Sequence, residues 1–299
     1  MNQRFAEYAD RINEKLDELS REPDAPKLIV DALRYSLLSG GKRLRGSLTL
    51  AANAMLGGDA DEAIVPACAI EMIHCFSLIH DDLPAMDDDD IRRGKPSNHV
   101  VFGEGIALLA GDALLALAFE KMTAHALGYP DNLKAHMIAI ERIARASGVR
   151  GMAGGQCLDL QGIDPSGQSY QSYQYREERL LKLHTLKTAA LISASVAAGL
   201  ILANASGAQI AAGEHYGTAL GIAFQIRDDI LDVEGDPSTL GKRVGMDAGK
   251  ETWVSANGLE GSKRACDGYL RDAAAALEPF GDNAGELLYL LDAQRERKA

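Results

Sequence analysis

AIEMIHCFSLIHDDLPAMDDDDIRRG, residues 69–94, decides how the rest of the chain reads. The first half, up to His80, is almost wholly apolar and lacks the alternation of a strand, so it reads as a buried helix. Pro84 ends that helix. Six acidic residues fall within the ten positions from Asp81 to Asp90, and Arg92 and Arg93 follow at once. Asp81 and Asp82 stand at the C-terminal end of the helix, where the dipole disfavours anions. Crowded carboxylates also repel one another and hold their protons more tightly. Divalent cations remove both penalties, and an oxygen-only set without His or Cys suits Mg²⁺. An isolated acidic run is ordinarily a solvated loop, so this stretch needs a second witness.

FQIRDDILD, residues 224–232, supplies it. Asp228 and Asp232 are spaced i,i+4 and share one helix face, with Gln225 one turn earlier on that face. Their neighbours Phe224, Ile226, Ile230 and Leu231 are apolar. Carboxylates in so apolar a helix must be paired, metal-bound or lining a wet cavity. Two Asp clusters on two buried helices predict one cavity holding several Mg²⁺ ions. Neither segment has the spacing or terminal Glu of a calcium-binding EF-hand loop.

Outward from these segments the chain reads as helix nearly throughout. Phe5, Tyr8, Ile12, Leu16 and Leu19 mark a first amphipathic helix, and a second runs over 28–38 until Ser39-Gly40-Gly41 stops it. Further helices are expected over 44–56, 62–81, 105–126, 132–147, 149–160, 170–186, 188–203, 207–233, 253–278 and 284–295. No useful strand pattern, repeat or Pro/Gly/Ser-rich linker appears. Residues 1–299 therefore read as one all-α domain, a helical bundle with several helices apolar almost all round and hence inside it.

The formal charge of −12 argues against a nucleic-acid binder. An acidic chain that binds anions needs local cations or bridging metals. Cys68, Cys75, Cys157 and Cys266 form no C-x-x-C and read as buried free thiols of a reducing, cytoplasmic protein. The first residues carry no signal-peptide core. The uncharged stretch 188–213 is long enough to span a bilayer, but it is mostly Ala, Ser and Gly with an Asn-Ala-Ser-Gly turn. It reads as two packed helices, and no transmembrane segment is expected.

Cations come in four short islands: Lys42-Arg43-Leu44-Arg45 after two glycines, Arg92-Arg93-Gly94-Lys95, Lys187-Thr188, and Lys242-Arg243. Any one alone is ordinary surface charge. Together, beside two Asp clusters, they look like a polyphosphate site in which metals and basic side chains share the phosphate oxygens. GMAGGQCLDL, residues 151–160, lacks the spacing of a phosphate loop and reads as close helix packing, with Gln156 and Asp159 candidates to face the cavity.

GGKRLRG, SLIHDDLPAMDDDDIRRGKPSNH, GDALL, GGQCLDL, LHTLKTAAL, FQIRDDILD and GDPSTLGKRVG resemble, in order, the motifs of the isoprenyl diphosphate synthases, in particular the short-chain bacterial farnesyl diphosphate synthase type. The resemblance covers residues 28–250. It implies an all-helical isoprenoid synthase fold around a deep central cavity, a homodimer, and head-to-tail condensation of an allylic diphosphate with isopentenyl diphosphate. It implies that Asp81 and Asp87 hold two Mg²⁺ ions and Asp228 a third, with Asp82, Asp229 and Asp232 in support and Mn²⁺ as a substitute. Lys187, Lys242 and Arg92 would bind the allylic diphosphate. Lys42, Arg45, His74 and Arg93 would bind the other diphosphate, and Thr188 and Gln225 would border the developing allylic cation.

The chemistry this implies is ionisation of the allylic C–O bond with the departing diphosphate held by cations, then attack by an oriented alkene in a dry cavity. The leaving diphosphate is the base that takes the last proton. Phe76 lies five residues before Asp81, roughly 7–8 Å deeper along the helix axis. In the resembling family that position is the pocket floor, so a bulky Phe76 above small Ser77 predicts a C15 product, with C10 or C20 as the alternatives. Two departures stand out. Asp247-Ala248-Gly249-Lys250 is shorter than the family's last motif, which puts Lys250 in doubt as a phosphate contact. Arg227 replaces the more usual Gln, either adding a cation or pairing with an Asp. A terpene cyclase would carry Asn-Ser-Glu ligands in place of the second Asp pair. A non-catalytic partner subunit would lack an Asp motif or a key lysine.

Overall fold

Helices form where the sequence shows a 3.6-residue apolar period or is apolar on all sides, and they stop where turn chemistry intervenes. The structure is a computed structural model describing residues 3–161, 173–234 and 252–297. The chain divides into two compact units, Met1–Glu141 with Ala198–Asn204, and Arg142–Ala197 with Ala205–Ala299.

In the first unit, α1 (Gln3–Leu19) buries Phe5, Tyr8, Ile12 and Leu16, a single stripe along its length. Helix α2 (Lys27–Leu37) ends just before Gly40 and Gly41, which adopt φ of 91° and 124°. Such angles suit residues without a Cβ. Helix α3 (Leu44–Met55) starts from Arg43, held at φ 47° by its own bonds: Nε to Asn13 at 2.8 Å and Nη2 to the Leu37 carbonyl at 2.6 Å. Helix α4 (Ala60–Asp81) opens on an Asp59 cap, whose carboxylate accepts the Asp61 N–H. It is buried on nearly every side, as its lack of a polar face predicts. Helices α5 (Asn98–Phe102) and α6 (Glu104–Ala126) follow, with α6 packed along α4. Helix α7 (Leu133–Ser147) begins in this unit.

Strands β1 (Ile91–Arg92) and β2 (Lys95–Pro96) form a minute antiparallel hairpin that the sequence pattern does not show. Its turn residues Arg93 and Gly94 have φ of 53° and 72°. Two positive φ values in a two-residue turn match the right-handed twist of the flanking strands. With only two residues per strand, no alternation could be read.

In the second unit, α8 (Met152–Leu160) and α9 (Tyr173–His184) lead into a π turn at Thr185–Ala189, which continues as α10 (Ala190–Leu202), whose residues from Ala198 on belong to the first unit. The expected break at residue 187 is thus a widened turn within a continuous helical run. Helix α11 (Gly207–Glu234) packs along α12 (Trp253–Ala276), which opens on a Thr252–Ser255 capping box. Helix α13 (Gly285–Arg295) closes the unit.

Among the described residues, two helical stretches, Ala60–Asp81 and Arg176–Leu202, are long and apolar enough to cross a membrane by length and composition, and 72 % of the apolar 18-residue window in each is buried inside the protein. Core packing accounts for their apolarity. Cys68, Cys75 and Cys266 are buried free thiols as expected, but Cys157 is exposed, because it lies on the outer side of α8.

Candidate active site

Helix α4 delivers the first Asp cluster. The chain turns at Pro84, and the Asp87 N–H donates to the Asp81 carbonyl at 2.9 Å. The turn therefore brings the backbones of Asp81 and Asp87 together, both residues half-buried. Asp82 is engaged elsewhere. It is 3 % exposed, and its Oδ1 accepts Arg92 Nε at 2.9 Å and Arg92 Nη2 as well. Arg92 also reaches Asp89 at 3.3 Å. Burial raises the Asp82 carboxyl above its ordinary value against the pull of Arg92. Burial works to lower the Arg92 guanidinium, but Asp82, Asp89 and Asp81 hold it above its ordinary value.

The hairpin gives adjacent arginines different surroundings. Arg92 lies in β1 and binds Asp82, whereas Arg93 occupies the turn and donates to the Gly40 carbonyl. A Cβ on Gly41 would stand 2.8 Å from the Arg93 guanidinium carbon, so the close approach needs glycine there. Arg45 is half-buried on α3, and Lys42 is exposed before it. Burial, then the charges of Arg45, Arg93, Arg92 and Arg43, hold His74 well below the usual imidazole range. His74 is therefore neutral near pH 7 and adds a hydrogen-bonding nitrogen to a strongly cationic patch. Phe76 is half-buried one turn before His80. Of the Gly-Gly-Lys-Arg island, Arg43 is structural: it is 3 % exposed and lies 3.9 Å from buried Glu71, which accepts the Gly46 N–H at 2.9 Å.

In the second unit the π turn carries Lys187 and Thr188. Widened turns of this kind re-aim side chains and recur at functional sites. Lys187 Nζ meets Asp159 Oδ2 at 2.5 Å. Helix α8 comes this close because Gly155 has no side chain: a Cβ there would lie 2.2 Å from the Lys187 backbone nitrogen. Thr188 donates to Gln225 Oε1 at 3.1 Å, Gln225 Nε2 to Asp229 at 3.3 Å, and the Trp253 N–H to the same carboxylate at 2.7 Å. Asp229 is thus a buried structural acceptor. Asp228 and Asp232 are half-buried on the same helix. Asp228 lies 2.8 Å from Arg297, whose guanidinium stands 4.6 Å over the Phe224 ring. Arg227 donates to the Arg297 carbonyl at 3.1 Å, a role neither expected alternative describes.

Arg297 and Asp89 add to the residues expected from sequence, and the contact between Lys187 and Asp159 joins two that were expected separately. Arg297 carries no local signal, since its contacts are tens of residues away. Asp89 lies in the acidic run without an assigned role, and its pairing with Arg92 follows from the hairpin, which the sequence pattern does not show. Lys242, Asp247 and Lys250 lie outside the described residues.

Among the described residues, no three His, Cys, Asp or Glu side chains converge as an all-protein metal cage. Mg²⁺ keeps waters and binds through one or two carboxylates plus substrate phosphates. The half-buried, oxygen-only pair Asp81 and Asp87 fits this chemistry, and Asp228 fits it once Arg297 gives way.

A family model described as polyprenyl synthetase matches residues 26–278. The chain is 45 % identical over 288 residues to the chloroplastic geranylgeranyl pyrophosphate synthase 12 of Arabidopsis thaliana, covering 93 % of this chain and 77 % of that protein. It is 42 % identical over 273 residues to the farnesyl diphosphate synthase of Bacillus subtilis (strain 168), covering 90 % and 88 %. Among solved structures, an apo FPP/GFPP synthase from Zymomonas mobilis matches with a TM-score of 0.84 and 34 % identity, covering 97 % of this chain and 96 % of that one. A geranyltransferase from Legionella pneumophila matches with a TM-score of 0.83 and 33 % identity, covering 98 % and 96 %.

Proposed function

The chain belongs to the polyprenyl synthetase family, and from that premise we propose that it makes mainly farnesyl diphosphate (C15). Membership makes it a short-chain prenyltransferase of isoprenoid biosynthesis with the all-α isoprenoid synthase fold. The family's substrates are an allylic diphosphate and isopentenyl diphosphate, and the family uses a divalent metal. The observation that carries the C15 reading is bulky Phe76, five residues before Asp81. A second reading, C20, draws support from the 45 % identity to a geranylgeranyl pyrophosphate synthase.

In the proposed mechanism Asp81, Asp87 and Asp228 would hold about three Mg²⁺ ions, with Asp82, Asp229 and Asp232 supporting. Bound metal would share the diphosphate oxygens and take up charge as the leaving group departs. Lys187, Arg92 and Lys242 bind the allylic diphosphate, and Lys187 exchanges Asp159 for a phosphate oxygen as it does so. Lys42, Arg45, His74 and Arg93 bind the diphosphate of isopentenyl diphosphate. Neutral His74 donates a hydrogen bond without adding to the repulsion among its arginines. Thr188 and Gln225 present oxygens to the allylic cation, and their mutual hydrogen bond orients both. No carboxylate need act as the base, because the departing diphosphate can take the proton.

The protein is proposed to be a cytoplasmic homodimer with a single catalytic domain, residues 1–299. Exposed Val100, Val101, Leu108 and Leu109 on α5 and α6 offer an apolar face for a second copy. The test is product chromatography after incubating purified protein with dimethylallyl and isopentenyl diphosphates, with and without Mg²⁺. C15 should dominate, Phe76→Ala should lengthen the product, and chelation should abolish condensation. Predominant C20 from the wild type would favour the second reading. No condensation at all would favour a non-catalytic subunit.

A further inference from the structure

Where α4 and α6 pack together, the His80 imidazole lies on Gly111. A Cβ at Gly111 would stand 2.2 Å from His80 Nε2 and 2.4 Å from Cδ2, so the ring has its place only because residue 111 has no side chain. His80 Nε2 is also 3.0 Å from the Leu108 carbonyl oxygen, which ties the ring to α6. The nearest carboxylate, Asp112, is 3.8 Å away, beyond hydrogen-bond range. The same imidazole meets Phe76 edge to face, with ring centroids 5.5 Å apart at 89°.

Phe76 is a single ring on one helix, with two soft side-chain torsions. Whether it blocks a growing chain depends on what holds it in one rotamer. We propose that His80 and Gly111 are positioning residues that fix product length by bracing Phe76. Gly111 provides the seat, the Leu108 carbonyl fixes the imidazole on it, and the imidazole holds the phenyl ring edge-on. The proposal rests on Phe76 being the pocket floor. It assigns length control to a residue pair reaching across to α6, not to the α4 position alone. Without the brace, the phenyl ring gains a second rotamer, and elongation passes the floor in proportion to its occupancy.

The test uses the full chain and four variants: His80→Gln, Gly111→Ala, Phe76→Ala and the double variant His80→Gln/Phe76→Ala. Each is checked for helical circular dichroism and given geranyl and isopentenyl diphosphates, and the C20 to C15 product ratio is read by chromatography. His80→Gln keeps a donor for the Leu108 carbonyl and adds no volume, so it removes the ring at little cost to folding. The expected result is a C20 to C15 ratio about tenfold higher for His80→Gln, and the same for Gly111→Ala, whose new methyl expels the imidazole. The double variant should lengthen no further than Phe76→Ala, as expected when one residue acts through the other. A folded His80→Gln with the wild-type ratio overturns the brace while leaving the floor intact, provided Phe76→Ala still lengthens the product. Additive lengthening in the double variant also overturns it. An unchanged product from Phe76→Ala removes the floor, and the brace falls with it.

Discussion

His184 gives the sharpest quantitative expectation. It closes α9, is 5 % exposed, and its Nδ1 has no hydrogen-bond partner among the described residues. Burial is the main reason its pKa falls from 6.5 to about 4; Asp159 opposes the fall and Lys187 adds to it. The folded protein therefore holds a neutral imidazole at pH values where the unfolded chain is protonated. Stability rises with pH wherever the unfolded state binds more protons. This contribution is complete above the unfolded value, is lost as pH falls through the interval from 6.5 to about 4, and changes no further below it. At ~1.4 kcal/mol per pH unit the whole interval is worth roughly 3 kcal/mol, with about 1.4 kcal/mol lost by about pH 5.5 and about 2.5 kcal/mol by about pH 4.5.

The perturbation is His184→Phe, which keeps a flat ring and cannot titrate. The assay is urea unfolding followed by tryptophan emission, because the single tryptophan is informative. Trp253 is 1 % exposed and its ring centroid lies 5.9 Å from that of His184. Other groups titrate in the same range, but they do so equally in both proteins. The difference in pH dependence between wild type and variant isolates His184. Wild type should lose about 2.5 kcal/mol more than the variant between about pH 7.5 and about pH 4.5. Parallel stability curves for the two proteins would refute the reasoning, since the imidazole would then gain its proton as readily folded as unfolded.

Three further outcomes follow from named contacts. Gly155→Ala places a methyl 2.2 Å from the Lys187 nitrogen and 2.5 Å from its Cα, both backbone atoms that yield poorly. It should cost roughly 1–3 kcal/mol and weaken pyrophosphate binding measured by calorimetry, and wild-type values of both would count against the packing. Asp82→Ala removes the main partner of Arg92, leaving Asp89 at 3.3 Å. A loss of roughly 2 kcal/mol in thermal or urea unfolding is expected, and an unaltered melting temperature would show the pair to be incidental. Arg297→Gln removes the cation 2.8 Å from Asp228, a partly exposed pair worth about 1 kcal/mol, so Mn²⁺ titrated by electron paramagnetic resonance should bind about fivefold more tightly. An unchanged Mn²⁺ affinity would mean that Arg297 does not compete for that carboxylate.

The helices were legible because their apolar stripes or all-round apolar runs are long, and because turn or cap residues mark some of their ends. The stop at Gly40-Gly41 and the start of α12 at Thr252 are both written in local chemistry. The π turn was half visible. Lys187 breaks an apolar run, which reads as the junction of two helices, but one extra residue in a turn leaves no signature in a periodicity. The hairpin was not visible at all, since two-residue strands give no alternation to detect.

That hairpin changes the meaning of the acidic run. Spacing alone treats Asp81, Asp82 and Asp87 as one carboxylate cluster that Mg²⁺ would neutralise. Folding supplies a second neutraliser: β1 carries Arg92 back to Asp82 and Asp89. The same division recurs on α11, where buried Asp229 accepts the Trp253 N–H and Gln225 Nε2, while Asp228 is half-buried beside Arg297. In each cluster the buried aspartate fixes a neighbouring element, Asp82 the hairpin through Arg92 and Asp229 the start of α12 through the Trp253 N–H. Asp81, Asp87, Asp228 and Asp232 stay half-buried and can exchange their partners for a metal without leaving a buried charge behind. A sequence shows that the aspartates are adjacent. It does not show which of them is buried, and burial is what separates the structural member of each pair from the one available to a ligand.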